Sequence, residues 1–333
     1  MSEVLLSQLA HVEIISPKPE ESVRWFVDAL GLELTTQEGQ SAYLRGWGEW
    51  LHSSLVVTEG EHPALGHVGW RTYGPEDVGT IAQRIDPELA EGWVDDAVGH
   101  GRAFRFRAPM GHLNEVFWET ELYQAPPELQ TDMRLRPQRY TGRGAAARYI
   151  DHVTINAPQL KDEIAWYQAN LGHRHTGSIT PEPGVPMFST LTCNAIRSTH
   201  DLALVPDFSG ATARANHIAF RVDQRLDVER AAEVFMACDT PIEFGPGIHG
   251  IDEITYLYVR EPGGFRMEIN SGGWENYEPD WETKVWGPAQ GGTTLWKNLA
   301  MPDSMMECFP AVDAAADETS EAGFRKTDLF AKP

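Results

Sequence analysis

The sequence predicts an α+β protein of two domains, each assembled from two β-α-β-β-β modules. Three observations carry this reading. First, the chain repeats itself: LAHVEIISPKPEESVRWFVDALGLEL and IDHVTINAPQLKDEIAWYQANLGHRH share one plan, and His11/His152 and Trp25/Trp166 both lie 141 positions apart. Second, each half restarts on another histidine-bearing segment, GHVGWRT at His67 and NHIAFRVD at His217. Third, short segments of alternating polarity, the mark of half-buried strands, outnumber helical periods.

The elements follow in order. The opening strands HVEII and HVTIN run into a Pro-containing turn and then an amphipathic helix that stops at Leu-Gly. Glycine suits the position past a helix end because it takes the left-handed conformation cheaply. Three alternating segments follow in each half: GLELTTQ, SAYLRGW and SSLVVTEG, then HRHTGSI, MFSTLTC and HDLALVPD. After the second histidine strand come helices at about Pro75–Ile85 and Val228–Cys238. Two strands close each half, RAFRFRA with NEVFWE and ITYLYVRE with FRMEIN. Residues 1–125 and 149–272 are therefore read as the two domains. Residues 126–148, rich in Pro, Gly and Arg without a period, are read as their connection. The tail, 273–333, spaces Trp274, Trp281, Trp286 and Trp296 and turns acidic. Its tryptophan part is expected to pack on the second domain and its last ~15–20 residues to fray.

The 333 residues, 41% hydrophobic and 10% aromatic, suffice for sizeable cores. A net charge of −22 argues against nucleic acid and anionic membrane as partners. Cys193, Cys238 and Cys308 are odd in number and widely spaced, which fits neither a disulfide framework nor a CxxC zinc site. Reduced thiols in the cytoplasm are the expectation. No signal-peptide pattern opens the chain, and no apolar run approaches the ~18 residues of a membrane span.

Three potential ligands, His152, His217 and Glu268, sit on three separate alternating segments of the second half, so each points to a defined face. Two imidazoles and one carboxylate can occupy one face of an octahedron and leave three adjacent positions open. That is the facial arrangement of non-haem Fe(II) oxygen chemistry, and Mn(II) accepts the same donors. A histidine near the open positions has the pKa to exchange a proton with a catechol hydroxyl. His200, His249 and Tyr258 are candidates for the surroundings. Taken singly, His152 or His217 is more often a satisfied core or surface residue; together with Glu268, at equivalent places in a repeat, that reading becomes improbable, whereas on spacing alone His200 fits an edge-strand pair facing solvent, Tyr258 a packed core residue and His249 a turn residue.

The stretch GIHGIDEITYLYVREPGGFRME carries a denser signal. It holds Gly247-Ile248-His249, Leu257-Tyr258, the turn Glu261-Pro262-Gly263-Gly264, and Glu268 within 22 residues. In this the chain resembles the type I, two-domain extradiol catechol dioxygenases of the vicinal oxygen chelate superfamily. The resemblance covers both halves to about Trp286 and implies that each module pair forms an incomplete barrel. It implies metal binding by His152, His217 and Glu268, acid–base catalysis by His200, and contacts to substrate or intermediate by His249 and Tyr258. Phe244 and Thr154 fall among the implied substrate contacts. The implied reaction is ring opening by O2 beside, not between, the two hydroxyls of a catechol. The implied cofactor is Fe(II), with Mn(II) as the alternative, and the implied assembly is a homo-oligomer, dimer or tetramer.

The N-terminal half repeats the triad as His11, His67 and Glu115, the last after Pro109-Met110-Gly111. There Arg105 stands where Tyr258 stands and Ser53 roughly where His200 stands, with His52 one residue out of register. A cationic Arg105 opposes a metal, so this domain is expected to be metal-free. His62, His100, His112, His173 and His175 are read as lying in turns or on polar faces, without a role.

Through GEWLHSSLVV and the Trp-rich tail the chain also resembles the branch of the family acting on 3,4-dihydroxyphenylacetate. That branch carries an arginine before Gly-Pro-Gly and another in the tail, paired with the substrate carboxylate. Here Phe244 precedes Gly245-Pro246-Gly247, and the tail reads Gly292-Thr293-Thr294. Without those charge-assisted partners the expected substrate is an uncharged catechol, with alkyl, halogen or nitro substituents open. A hydroquinone-type or 3,4-dihydroxyphenylacetate dioxygenase, a glyoxalase-type isomerase and a non-catalytic aromatic-binding protein remain the alternatives.

Overall fold

The computed structural model describes residues 3–313, apart from 96, 194–199, 279, 288–289 and 297–299. Four modules succeed one another. The first is β1 (Leu6–Ser16), α1 (Pro19–Trp25), β2 (Glu33–Glu38), β3 (Ser41–Arg45) and β4 (Leu55–Glu59). The second is β5 (Ala64–Thr72), α2 (Pro75–Arg84), β6 (Ala90–Val94), β7 (Ala103–Arg107) and β8 (Leu113–Phe117). The third is β9 (Tyr149–Ala157), α3 (Leu160–Leu171), β10 (Arg174–Ile179), β11 (Phe188–Thr192) and β12 (Leu202–Pro206). The fourth is β13 (Arg214–Arg221), α4 (Arg225–Ala237), β14 (Ile242–Ile248), β15 (Ile254–Arg260) and β16 (Arg266–Gly272). A short β17 (Lys284–Trp286) follows in the tail.

Each module folds back so that its last strand lies parallel beside its first: β1 with β4, β5 with β8, β9 with β12, β13 with β16. The two opening strands of each domain pair antiparallel, β1 with β5 and β9 with β13. The sheets run β2-β3-β4-β1-β5-β8-β7-β6 and β14-β15-β16-β13-β9-β12-β11-β10-β17. Both have two distinct end strands, so each barrel stays open. The histidine strands and their parallel returns thus occupy the middle of each sheet, where neighbours on both sides hold them in register.

Strands β6 and β14 were not legible as strands. Each carries glycine within it, and β14 also carries Pro246; these residues erase the alternation that announces a strand. Helix α1 runs on as a single π-helical turn, Phe26–Leu30, and ends at Gly31 with φ 86°; α3 ends at Gly172 with φ 76°. Both glycines also admit the other domain's lead-in segment. A Cβ on Gly31 would lie 2.2 Å from the Arg143 carbonyl oxygen, and one on Gly172 would lie 2.4 Å from that of Glu3.

The matched tryptophans join the domains. Trp25 Nε1 donates to Thr240 Oγ1 at 2.8 Å, and its ring stacks on Phe235 of α4. Trp166 leans on Phe106 of β7 with ring centroids 5.9 Å apart. His112 and His173 lie in connections between elements, one of the two expected placings, but both are buried and face no polar surface. His112 is fully buried between the domains and donates from Nε2 to the Arg214 carbonyl at 2.9 Å. His173 is buried edge-on against Trp70.

The tail packs largely as expected. β17 pairs with β10, Trp281 Nε1 donates to the Thr176 carbonyl at 2.9 Å, and Trp281 stacks on Trp274. Trp296, in contrast, is more than half exposed. Phe309 then exchanges two backbone hydrogen bonds with Ala215, while the Pro310 carbonyl accepts from Leu65 N–H, so one segment laces both domains. The expected frayed end and its acidic run beyond Asp313 lie outside the described residues. No helix among the described residues is long and apolar enough to cross a membrane.

Candidate metal centre and active site

Register places the three ligands. On β13, Ala219 pairs with His152 of β9 on one side and with Glu268 of β16 on the other. Residues directly opposite across a sheet point to the same face, so His152 and Glu268 share a face with Ala219. His217 lies two residues before Ala219 and points the same way. Thr154 is paired with His217 and joins the same face.

The side chains converge. The Nε2 atoms of His152 and His217 are 3.2 Å apart, and Glu268 Oε2 is 3.4 Å from the first and 3.0 Å from the second. Donors about 2.1 Å from one ion and at right angles to each other are about 3.0 Å apart, so this triangle fits one octahedral face. All three side chains are buried. Both rings are oriented from behind: His152 Nδ1 lies 2.9 Å from Asp151 Oδ2 and His217 Nδ1 2.8 Å from Asn216 Oδ1. With Nδ1–H donated outward, each Nε2 is left to bind a metal, as ligating histidines require. Asp151 and Asn216 escaped sequence reasoning, although each immediately precedes its histidine. Asn270 Nδ2, donating to Asp151 Oδ2 at 2.9 Å, extends this support to β16.

The charge balance suits a cation. Burial alone would raise the Glu268 carboxyl, but His152 and His217 hold it well below the usual range. Burial lowers His152, yet Glu268 and Asp151 outweigh it and raise it to about 10. Burial takes His217 down to about 4. A buried carboxylate facing two imidazoles is the donor set a divalent ion takes.

This face looks into a cavity of about 180 Å³ that also receives Thr154, His200, Phe244, His249 and Tyr258. All the sequence-predicted site residues thus meet in one place. Thr154 Oγ1 is 3.0 Å from His217 Nε2. The His200 ring centroid is 4.2 Å from that of His152, and Asp252 Oδ2 stands 3.9 Å from His200 Nδ1. Burial and the neighbouring His152 hold His200 well below its ordinary pKa, which favours the neutral ring. His249 Nδ1 donates to the Thr293 carbonyl at 2.7 Å, which leaves Nε2 to accept from the Tyr258 hydroxyl at 3.1 Å. Tyr258 pairs across the sheet with Glu268; burial and that carboxylate push its phenol well above the ordinary value, so it stays protonated. Phe244 stacks along Tyr258 at 6.1 Å. Met301, Met305 and Met306 from the tail form a further wall, which nothing in the sequence pattern announced.

The N-terminal domain repeats the row, as β1 His11, β5 Gly69 and β8 Glu115, with Arg105 paired to Glu115 as Tyr258 is to Glu268. His100, given no role above, lies 3.0 Å from Glu115 Oε1.

The model of the Glyoxalase/Bleomycin resistance protein/Dioxygenase superfamily matches residues 8–116 and 149–269, one span per domain. A manganese-dependent 2,3-dihydroxybiphenyl 1,2-dioxygenase of Geobacillus genomosp. 3 is 33% identical over 286 residues, 84% of this chain and 90% of its own. A metapyrocatechase of Geobacillus stearothermophilus is 32% identical over 305 residues, 90% of this chain and 92% of its own. The crystal structure of homoprotocatechuate 2,3-dioxygenase from Arthrobacter globiformis superposes with a TM-score of 0.81 at 26% identity, covering 92% of this chain and 93% of that one. Two matched domains, two full-length relatives and a shared architecture agree: the chain belongs to this superfamily and, within it, to the extradiol dioxygenases.

Proposed function

We propose that this extradiol dioxygenase opens the ring of an uncharged catechol, giving a muconic semialdehyde-type product, with residues 149–272 as the catalytic domain. The observation that carries the reading is the buried triangle of His152 Nε2, His217 Nε2 and Glu268 Oε2 opening onto a cavity with a neutral base. His152, His217 and Glu268 would hold Fe(II) or Mn(II), the latter named for one relative, which would supply Lewis acidity and redox chemistry toward catechol and O2.

The chain's own residues do the rest. His200, buried beside His152, would accept a hydroxyl proton as the catechol binds and return it later in the turnover. Tyr258 keeps its proton and offers it as a hydrogen bond at the substrate's edge. His249 holds that hydroxyl in place through Nε2, itself anchored on Thr293. Phe244 and Thr154 flank the ring, and the three tail methionines exclude water while adapting to substituents.

The lining also selects for charge. Among the described residues the cavity's only Lys or Arg is Arg214, and Asp207 engages it through two contacts, Nε–Oδ2 at 2.7 Å and Nη2–Oδ1 at 2.9 Å. A substrate carboxylate would meet no unengaged cation. An oxygen-electrode screen of substituted catechols with anaerobically Fe(II)-loaded protein tests this. Uncharged catechols should give a yellow product with kcat/KM well above that of 3,4-dihydroxyphenylacetate; equal values contradict the assignment. The same reading places the protein in the cytoplasm, where its cysteines, joined by no disulfide, stay reduced. It also makes the protein a homo-oligomer, which light scattering on a sizing column checks.

A further inference from the structure

We propose that Asn156 reads the ring substituent: its amide takes the hydrogen bond of a neutral hydroxyl on a short chain, so the preferred catechol carries such a side arm. The inference rests on the extradiol reading above and adds the substrate class of the same cavity. Three rows of side chains face that cavity. His152, Ala219 and Glu268 form the first, and Thr154 with His217 the second. Asn156 forms the third, paired with Val205 of β12 on one side and Arg214 of β13 on the other, and all three residues line the cavity. Along β9, Asn156 follows His152 by about 13 Å at about 3.3 Å per residue. A catechol chelated at the first row does not bridge that distance, whereas a ring with a short chain does.

The amide is the polar group at this end that lacks a partner. Asn156 is 3% exposed, and its Oδ1 is buried without a hydrogen bond. Among the described residues no other that lines the cavity has such an atom. Buried polar side chains are almost always paired, and leaving one unpaired is costly. Rotation about the soft Cβ–Cγ bond turns either end of the amide into the cavity. Asn156 can thus accept from a hydroxyl at Oδ1 or donate to it from Nδ2.

The neighbours set the charge of the guest. Arg214 and Asp207, both buried, pair through Nε–Oδ2 at 2.7 Å and Nη2–Oδ1 at 2.9 Å, and their charges cancel. Ser209 is engaged as well: its Oγ donates to Asp207 Oδ1 at 2.5 Å and accepts from Arg214 Nη2 at 2.9 Å and from Ala211 N–H at 3.1 Å. An ionised side arm would lose its water and gain no counter-charge here. Met187, Phe188 and Met301 keep the wall around the row apolar. A neutral amide in such a wall fixes the direction of a substituent, and a site holding an unpaired polar group discriminates against an analogue that cannot pair with it.

The test compares 4-(2-hydroxyethyl)catechol with 4-propylcatechol, which differ only in a terminal hydroxyl against a methyl, by oxygen uptake with anaerobically Fe(II)-loaded full-length protein. In wild type kcat/KM should favour the hydroxyethyl compound roughly 5–10-fold, and Asn156→Leu should abolish that preference. The wild-type comparison holds however the variant folds. Wild type that favours 4-propylcatechol or takes both equally overturns the proposal, and so does a preference retained in Asn156→Leu. In each of those cases the turnover itself leaves the extradiol reading standing. Wild type that takes up no oxygen with either compound overturns both.

Discussion

His200 lies beside the ligand triangle without being part of it. It is buried, held neutral, and has Asp252 3.9 Å away. In the proposed reaction it moves a proton, and on that reading His200→Asn should leave metal content unchanged and lower kcat by roughly 10²–10⁴-fold, the usual share of general acid–base catalysis. Unchanged kcat with bound metal would remove His200 from the mechanism. At this scale much was legible in the sequence. His152, His217, Glu268 and Tyr258 lie on strands whose register aligns them, while His249 follows β14 in the turn before β15. Asp151 and Asn216 were not, because a polar residue beside a histidine has many uses until the ring's tautomer is seen.

At the scale of elements, the central problem is to hold β14, β15 and β16 in register beneath the site. Glu243 of β14 does much of this. Its carboxylate accepts from Arg266 Nε at 2.9 Å and Nη2 at 3.0 Å, and from Arg260 Nη2 at 3.0 Å. Arg266, fully buried, also donates to the Asn216 carbonyl beside His217 and to the Glu307 carbonyl of the tail. Burial raises the Glu243 carboxyl, but Arg266 and Arg260 outweigh it and bring it from 4.5 to about 2. A depressed carboxyl contributes stability above its unfolded pKa and loses it as pH falls through the folded value. Glu243→Gln should therefore cost about 3 kcal/mol at neutral pH, and the difference should shrink between about pH 4.5 and 2. Denaturant titrations at several pH values check this; a pH-independent difference would point to packing instead. Strand β14 itself was hidden because Gly245, Pro246 and Gly247, which let it bend around Tyr256, also erase its alternation.

For the whole molecule, duplication explains the assembly. Trp25 and Trp166, read from sequence only as matched positions, each reach into the opposite domain. Gly31 and Gly172 do likewise, so Leu-Gly is more than a helix stop. The sequence reveals the conformational reason for such a glycine but not the packing reason, which needs the partner segment. Gly172→Ala must bear a left-handed backbone and a contact with Glu3, and should lose at least about 1–2 kcal/mol. Chemical denaturation within 0.5 kcal/mol of wild type would contradict that packing. The tail belongs to this scale too: methionines from it wall the cavity, and the Phe309–Val312 segment ties β13 to β5.

The most direct measurement supplies isotopically heavy O2 to anaerobically Fe(II)-loaded protein with catechol and weighs the product. Both heavy atoms should appear in a ring opened beside the two hydroxyls, and His217→Ala should yield none. Absence of label, or a ring split between the hydroxyls, would contradict the assignment of His152, His217 and Glu268 to extradiol chemistry.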